Sequence, residues 1–168
     1  MYAYLKGTIG YKAADQVIVE VNGIGYNVFY PVSRIAQLPS VGSDVTVYTY
    51  TSVREDALQL YGFESMDDKE LFCMLIGVSG VGPKAGMSLL SELTASQIRM
   101  AIISGDIKTL SKAQGIAKKS AERIIVDLKA KMSADDIMHT AGIQPPSAAV
   151  LDGEENEAVE ALIALGYP

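Results

Sequence analysis

A chain of 168 residues with 49% hydrophobic content is long enough for one domain or two small ones and too apolar to be disordered throughout. Its apolar runs are too short to cross a membrane, no basic leader precedes an apolar run at the N-terminus, and the single cysteine, Cys73, has no partner for a disulfide. These features predict a cytoplasmic protein whose one thiol fills a helix core. The net charge of −6 counts against a uniformly basic surface, but the charge is unevenly placed. Residues 1–76 carry five cations and nine acids, residues 77–132 nine cations and four acids, and residues 133–168 seven acids with no Lys or Arg. The middle segment is therefore the positive one, and local field rather than net charge decides what a surface attracts.

Residues 1–63 read as all-β. Tyr2 to Tyr11 alternates loosely between apolar and polar residues, and Gln16–Val21 and Tyr26–Tyr30 flank an Asn22-Gly23 turn, a strong hairpin signal. Ser33 to Leu38 predicts a short helical turn before Pro39. Val45–Val53 is rich in Val, Thr and Tyr, and Ala57–Phe63 gives a fifth strand. Five short strands in this length predict an OB-fold β-barrel. Tyr2, Tyr4, Tyr48 and Tyr50 are read as ordinary strand residues before they are read as stacking platforms for bases. Arg54, Glu55 and Asp56 fall between the last two strands, where charge ordinarily means a solvated turn.

Residues 64–132 read as all-α, with Asp67 expected to cap the first helix and Asp68 and Glu70 in its first turn. Within them one pattern occurs twice at a spacing of 35 positions. Leu75, Gly80, Val81, Leu89, Leu90 and Leu93 align with Leu110, Gly115, Ile116, Ile124, Ile125 and Leu128. Each copy is an apolar helix, a glycine turn, a cationic residue and a second apolar helix, which is a helix-hairpin-helix. In the first turn, which includes Ser79 as a further DNA-binding candidate, Gly80 and Gly82 let a backbone approach closely, Pro83 suits the first position of a helix, and Lys84 adds charge where unpaired N–H groups face an anion. Val81 is expected to plug the turn into the core. In the second turn Gly115 is kept, but Ala117 stands where the second glycine would be. If that position needs a positive φ, the turn carries strain. Lys118, Lys119 and Arg123 then supply the positive charge. Thr94 and Gln97 form a capping box for a helix ending near Gly105, Asp106 starts a short helix, and Lys118–Met132 is the closing helix.

Gly77 to Lys84 looks superficially like a nucleotide-binding P-loop. Pro83 breaks the Gly-Lys step, Ala85 replaces the hydroxyl that would hold magnesium, and the preceding residues have helical rather than strand character. A plain loop would explain one glycine turn. Two in register, each followed by lysine, favour binding of nucleic-acid backbone.

From Ser133 the periodicity decays. Residues 133–153, with Pro145 and Pro146, read as a flexible linker, and the lone His139 has no neighbouring ligand for a metal role. Residues 154–168 regain helical periodicity through Ala158, Leu162 and Leu165. One short helix cannot bury its own apolar face, so this segment reads as the start of a further helical module.

The order of these parts resembles the RuvA family, Holliday-junction-binding subunits of the RuvAB branch-migration machine. The resemblance is carried by Val53-Arg54-Glu55-Asp56-Ala57, Leu60-Tyr61-Gly62-Phe63, Gly80-Val81-Gly82-Pro83-Lys84, Lys118-Lys119-Ser120-Ala121-Glu122-Arg123 and Ala161-Leu162-Ile163-Ala164-Leu165-Gly166-Tyr167. It implies a tetramer, sometimes doubled to an octamer, that holds a four-way DNA junction open and grips its phosphates without reading sequence. It turns Glu55 and Asp56 into an acidic pin aimed at the crossover, where carboxylates repel phosphates. It implies partnership with the RuvB ATPase, through a C-terminal module of which residues 154–168 would be the first part, and with the RuvC resolvase. No catalytic residue, cofactor or metal is expected in the chain itself. Two other classes compete: a helix-hairpin-helix glycosylase or nuclease, needing a nucleophilic lysine or clustered carboxylates, and a protein scaffold, which leaves the positive middle segment unexplained.

Overall fold

A computed structural model of the chain describes residues 1–132. The expected linker and terminal helix, residues 133–168, lie outside the described residues. The alternating N-terminal segment forms five strands: β1 (Tyr4–Lys12), β2 (Gln16–Val21), β3 (Ile24–Phe29), β4 (Asp44–Val53) and β5 (Leu58–Phe63). They close into a barrel in the order β1-β2-β3-β5-β4. Neighbours run antiparallel except β3 and β5, which pair in parallel through Val28–Leu60 and Phe29–Tyr61. The Asn22-Gly23 turn takes φ 51° and 80°, the two left-handed residues that a tight β2–β3 hairpin needs. A 3-10 turn over Val32–Gln37 fills the β3–β4 connection, as the sequence predicts.

The helices follow: α1 (Met66–Ile76), α2 (Pro83–Glu92), α3 (Ala95–Ser104), α4 (Ile107–Leu110) and α5 (Lys118–Lys129). Thr94 and Gln97 make the reciprocal capping box on α3, which stops at Gly105 with φ 77°. Asp106 caps α4 by accepting from the Thr109 N–H at 3.0 Å. The expectation for α1 needs correction. Its cap is Ser65, whose hydroxyl accepts from the Asp68 N–H at 3.1 Å, and the helix begins at Met66. Asp67 and Asp68 are drawn instead into long-range pairs, Asp67 with the buried Arg99 and Asp68 with Arg34 at 2.8 Å. The closing helix also ends earlier than expected, at Lys129.

Two apolar cores meet. One fills the barrel around Ile9, Val17, Val28 and Val47. The other fills the helices but begins on β5, where Tyr61 and Phe63 are buried against α1. Phe72 of α1 is the joint: its ring centroid lies 4.8 Å from Phe63, 5.6 Å from Tyr61 and 5.5 Å from Tyr50. Tyr48 and Tyr50 thus turn toward the helices, and Tyr2 packs edge-on against Tyr26. Polar ties reinforce the joint: Arg34 to Asp68, the Val32 N–H to the Ser91 hydroxyl at 2.9 Å, and the Lys69 ammonium to the Ala3 carbonyl at 3.2 Å. Barrel and helices are therefore packed against each other through both apolar and polar contacts.

Candidate nucleic-acid interface

The turns of the two repeats share their defining backbone bonds. In the first turn the Val81 N–H donates to the Val78 carbonyl at 3.0 Å; in the second the Ile116 N–H donates to Ala113 at 3.1 Å. One turn later the Gly86 N–H donates to Gly82 and the Ala121 N–H to Ala117, both at 3.0 Å. Val81 and Ile116 are both buried, so each turn is pinned by one apolar side chain. Gly80 and Gly115 hold φ 88° and 86°, the left-handed region where an L side chain is strained. Gly82 and Ala117 do not. They are the N-caps of α2 and α5, extended at φ −89°, ψ 172° and φ −73°, ψ 163°. The strain anticipated at Ala117 is therefore absent: alanine is an ordinary occupant of that backbone.

What the turns leave outside has one character. Ser79, Gly80, Gly82, Lys84, Gly115, Ala117, Lys118, Lys119 and Arg123 are all exposed. Neither α2 nor α5 has a side-chain cap on its first N–H groups, and neither has an acid in its first turn. Both instead carry cations there, Lys84 on α2 and Lys118 and Lys119 on α5. A cation at a helix N-terminus opposes the helix dipole by about 0.3–1 kcal/mol until an anion arrives. Two helix starts that are uncapped and also positive have a local field that favours an anion. The paired acids on α5 are weak competitors. Lys118–Glu122 at 4.0 Å and Arg123–Asp127 at 3.9 Å are long, exposed pairs.

The turns lie side by side. A side-chain atom at Gly115 would stand 3.7 Å from the Ala85 Cβ on α2, and Gln114 and Lys84 line one cavity. The first turn also faces the β4–β5 tip. Gly82 and Lys84 share a cleft of about 390 Å³ with Arg54, Asp56 and Gln59. The structure thus brings Asp56 to the first hairpin, while Glu55 is exposed on the tip beside it. Arg54 and Gln59 belong to this cleft although the hairpin repeat does not point to them. The only sequence signal was Arg54 standing directly before the acid pair.

Burial pushes the Cys73 thiol up, away from a reactive thiolate. The Thr109 hydroxyl, and then its backbone N–H, hold Asp106 below the usual carboxylate range, as a cap should. Among the described residues no three His, Cys, Asp or Glu side chains group as metal ligands. Among the same residues no helix is long and apolar enough to cross a membrane.

Comparison with known proteins agrees with this arrangement. Residues 1–62 match the model of the RuvA N terminal domain, and residues 72–131 match the SAM-like helix-hairpin-helix tandem. A Holliday junction branch migration complex subunit RuvA from Acetivibrio thermocellus is 46% identical over 170 residues, covering 99% of this chain and 84% of the relative. The same-named proteins of Ruminiclostridium cellulolyticum and Lachnospira eligens are 44% and 41% identical, each over 99% of this chain and 85% and 84% of their own length. With an N-terminal barrel, a helix-hairpin-helix tandem and identity of this extent, the chain belongs to the RuvA family.

Proposed function

We propose that the chain binds four-way junction DNA, by shape and without sequence preference, as the non-catalytic subunit of a RuvAB-type branch-migration complex in recombination and repair. The carrying observation is the pair of matched hairpins, each presenting an uncapped, cation-bearing helix start, set beside an acidic β-hairpin tip. Ser79, Gly80, Gly82 and Lys84 in one hairpin and Gly115, Ala117, Lys118, Lys119 and Arg123 in the other take the phosphates of an arm. Glu55 and Asp56 stand where the strands part and repel backbone that would otherwise close over the centre. A junction has four arms, so four copies arranged as a homotetramer, or two such rings as an octamer, satisfy it. An ATPase of the RuvB type supplies the motor, a resolvase of the RuvC type cuts afterwards, and the single unpaired thiol suits the cytoplasm.

The test is a gel-shift titration against a synthetic immobile junction and a linear duplex of the same sequences at several salt concentrations. Tighter junction binding with a steep negative salt slope is expected. Equal affinity for both DNAs would remove the structure-specific reading. Strand cutting by the chain in Mg²⁺ would replace it with the helix-hairpin-helix nuclease or glycosylase.

A further inference from the structure

Between the barrel and the hairpins lies a second cavity of about 480 Å³, next to the cleft under the acidic tip. Lys84, Gln59 and Tyr61 line both, so the two spaces adjoin. One wall is aromatic. Phe29 is half-buried and stacks on Tyr61 with centroids 5.4 Å apart and planes 26° apart. Tyr61 is in turn backed by Phe72 of the shared core, which holds the wall rigid. The opposite wall is α2, with Met87 and the half-buried Ser88. The ends differ in charge. Lys84 marks the end shared with the tip cleft, Glu92 marks the end shared with a third, polar cleft beside the 3-10 turn, and Asp15 lines the cavity as a second acid.

This combination fits one kind of occupant. An aromatic face takes the π-face of a base. A lysine at the mouth holds the phosphate there. The exposed Glu92 carboxylate at the other end is an acceptor for an exocyclic amine. We propose that the cavity takes one unstacked nucleobase from the open centre of the junction, with Lys84 on its phosphate. The inference rests on the junction-binding reading above. Bases at the centre of an opened junction have lost a stacking neighbour, so they cost least to extrude.

The experiment uses the full chain and synthetic junctions carrying 5-iodouracil at the crossover or at adjoining positions, irradiated and mapped by peptide mass spectrometry. A crosslink to the peptide holding Phe29 or Tyr61, made with the junction and not with linear duplex, is the expected result. Ser88→Phe fills the cavity from the α2 side without removing a core residue, and Phe29→Leu keeps apolar volume without a π-face. Both should abolish that crosslink and weaken junction binding about fivefold or more, with the thermal transition preserved. Junction binding intact with no crosslink on the barrel aromatics at any position overturns this proposal alone. A chain that binds no junction overturns the parent reading and this one together. Loss of assembly by light scattering in Ser88→Phe, without a crosslink in the parent chain, assigns the cavity to contact between copies and also overturns it.

Discussion

Gly82 and Ala117 occupy the same backbone conformation, one at each hairpin's helix start, although one is glycine and the other carries a methyl group. The positions that need glycine are two residues earlier, at Gly80 and Gly115. Gly80→Ala or Gly115→Ala should therefore cost about 1–2 kcal/mol from the left-handed backbone alone. Gly82→Ala should leave stability nearly unchanged, since an added Cβ meets nothing within 4 Å. Urea denaturation of the three variants separates the positions, and equal losses would show that the backbone assignment is wrong.

Charge reversal on α5 tests the cradle. Lys118→Glu with Arg123→Glu should weaken junction binding by about tenfold or more and flatten its salt dependence. The pairs lost, to Glu122 and Asp127, are exposed helix pairs worth about 0.3–0.5 kcal/mol each, so folding should be almost unaffected. Unchanged affinity in a gel shift would remove α5 from the interface.

Neutralising the tip with Glu55→Gln and Asp56→Asn should keep the fold, because both side chains are exposed. It should raise affinity for linear duplex relative to the junction, because the repulsion that disfavours continuous backbone at the tip is gone. Competition binding between the two DNAs measures this; an unaltered ratio together with an unaltered branch-migration rate would leave the tip without its assigned role.

Arg34 and Asp68 join barrel to helices with little exposure on either side chain, at 14% and 9%. Arg34→Ala leaves a nearly buried carboxylate with only the Ser65 hydroxyl, which donates to it at 3.0 Å. The cost should be about 2–4 kcal/mol, most of it the uncompensated charge. Restoring stability by adding Asp68→Asn to the Arg34→Ala chain would locate the penalty in that charge, and chemical denaturation reads both.

Asp106 gives a pH signature. Its carboxyl is held below the usual range by Thr109, so the folded state keeps the proton off longer than the unfolded chain does. Its contribution is present above the ordinary carboxylate pKa and is lost as pH falls through the lowered value. Asp106→Asn should flatten that part of the acid-denaturation curve. A curve of unchanged shape would mean the cap does not titrate with unfolding.

Much of the architecture could be read from local pattern. The Asn22-Gly23 turn, the strand alternation, the Thr94–Gln97 capping box and the repeated glycine turns are all set by residues within a few positions of one another, where propensity and periodicity act. The reading failed where distant partners decide. Asp67 looks like the helix cap, but Ser65 takes that place and Arg99, from another element, pairs with Asp67, while Asp68 keeps its expected place in the first turn and also pairs with Arg34. Ala117 looks strained only if its dihedrals are guessed from the glycine it replaces. The cleft joining Arg54 and Asp56 to Lys84, and the aromatic cavity behind it, need the barrel to dock on α1, and no short window of sequence encodes that docking.

Phe72 sits where three rings of the barrel meet the helices. A strand that begins at the acidic tip and ends inside the helical core makes the two a single lever. On the proposed reading, the spacing between the first hairpin and the tip would act as a calliper set by the packing of Phe72, with shape in place of base reading.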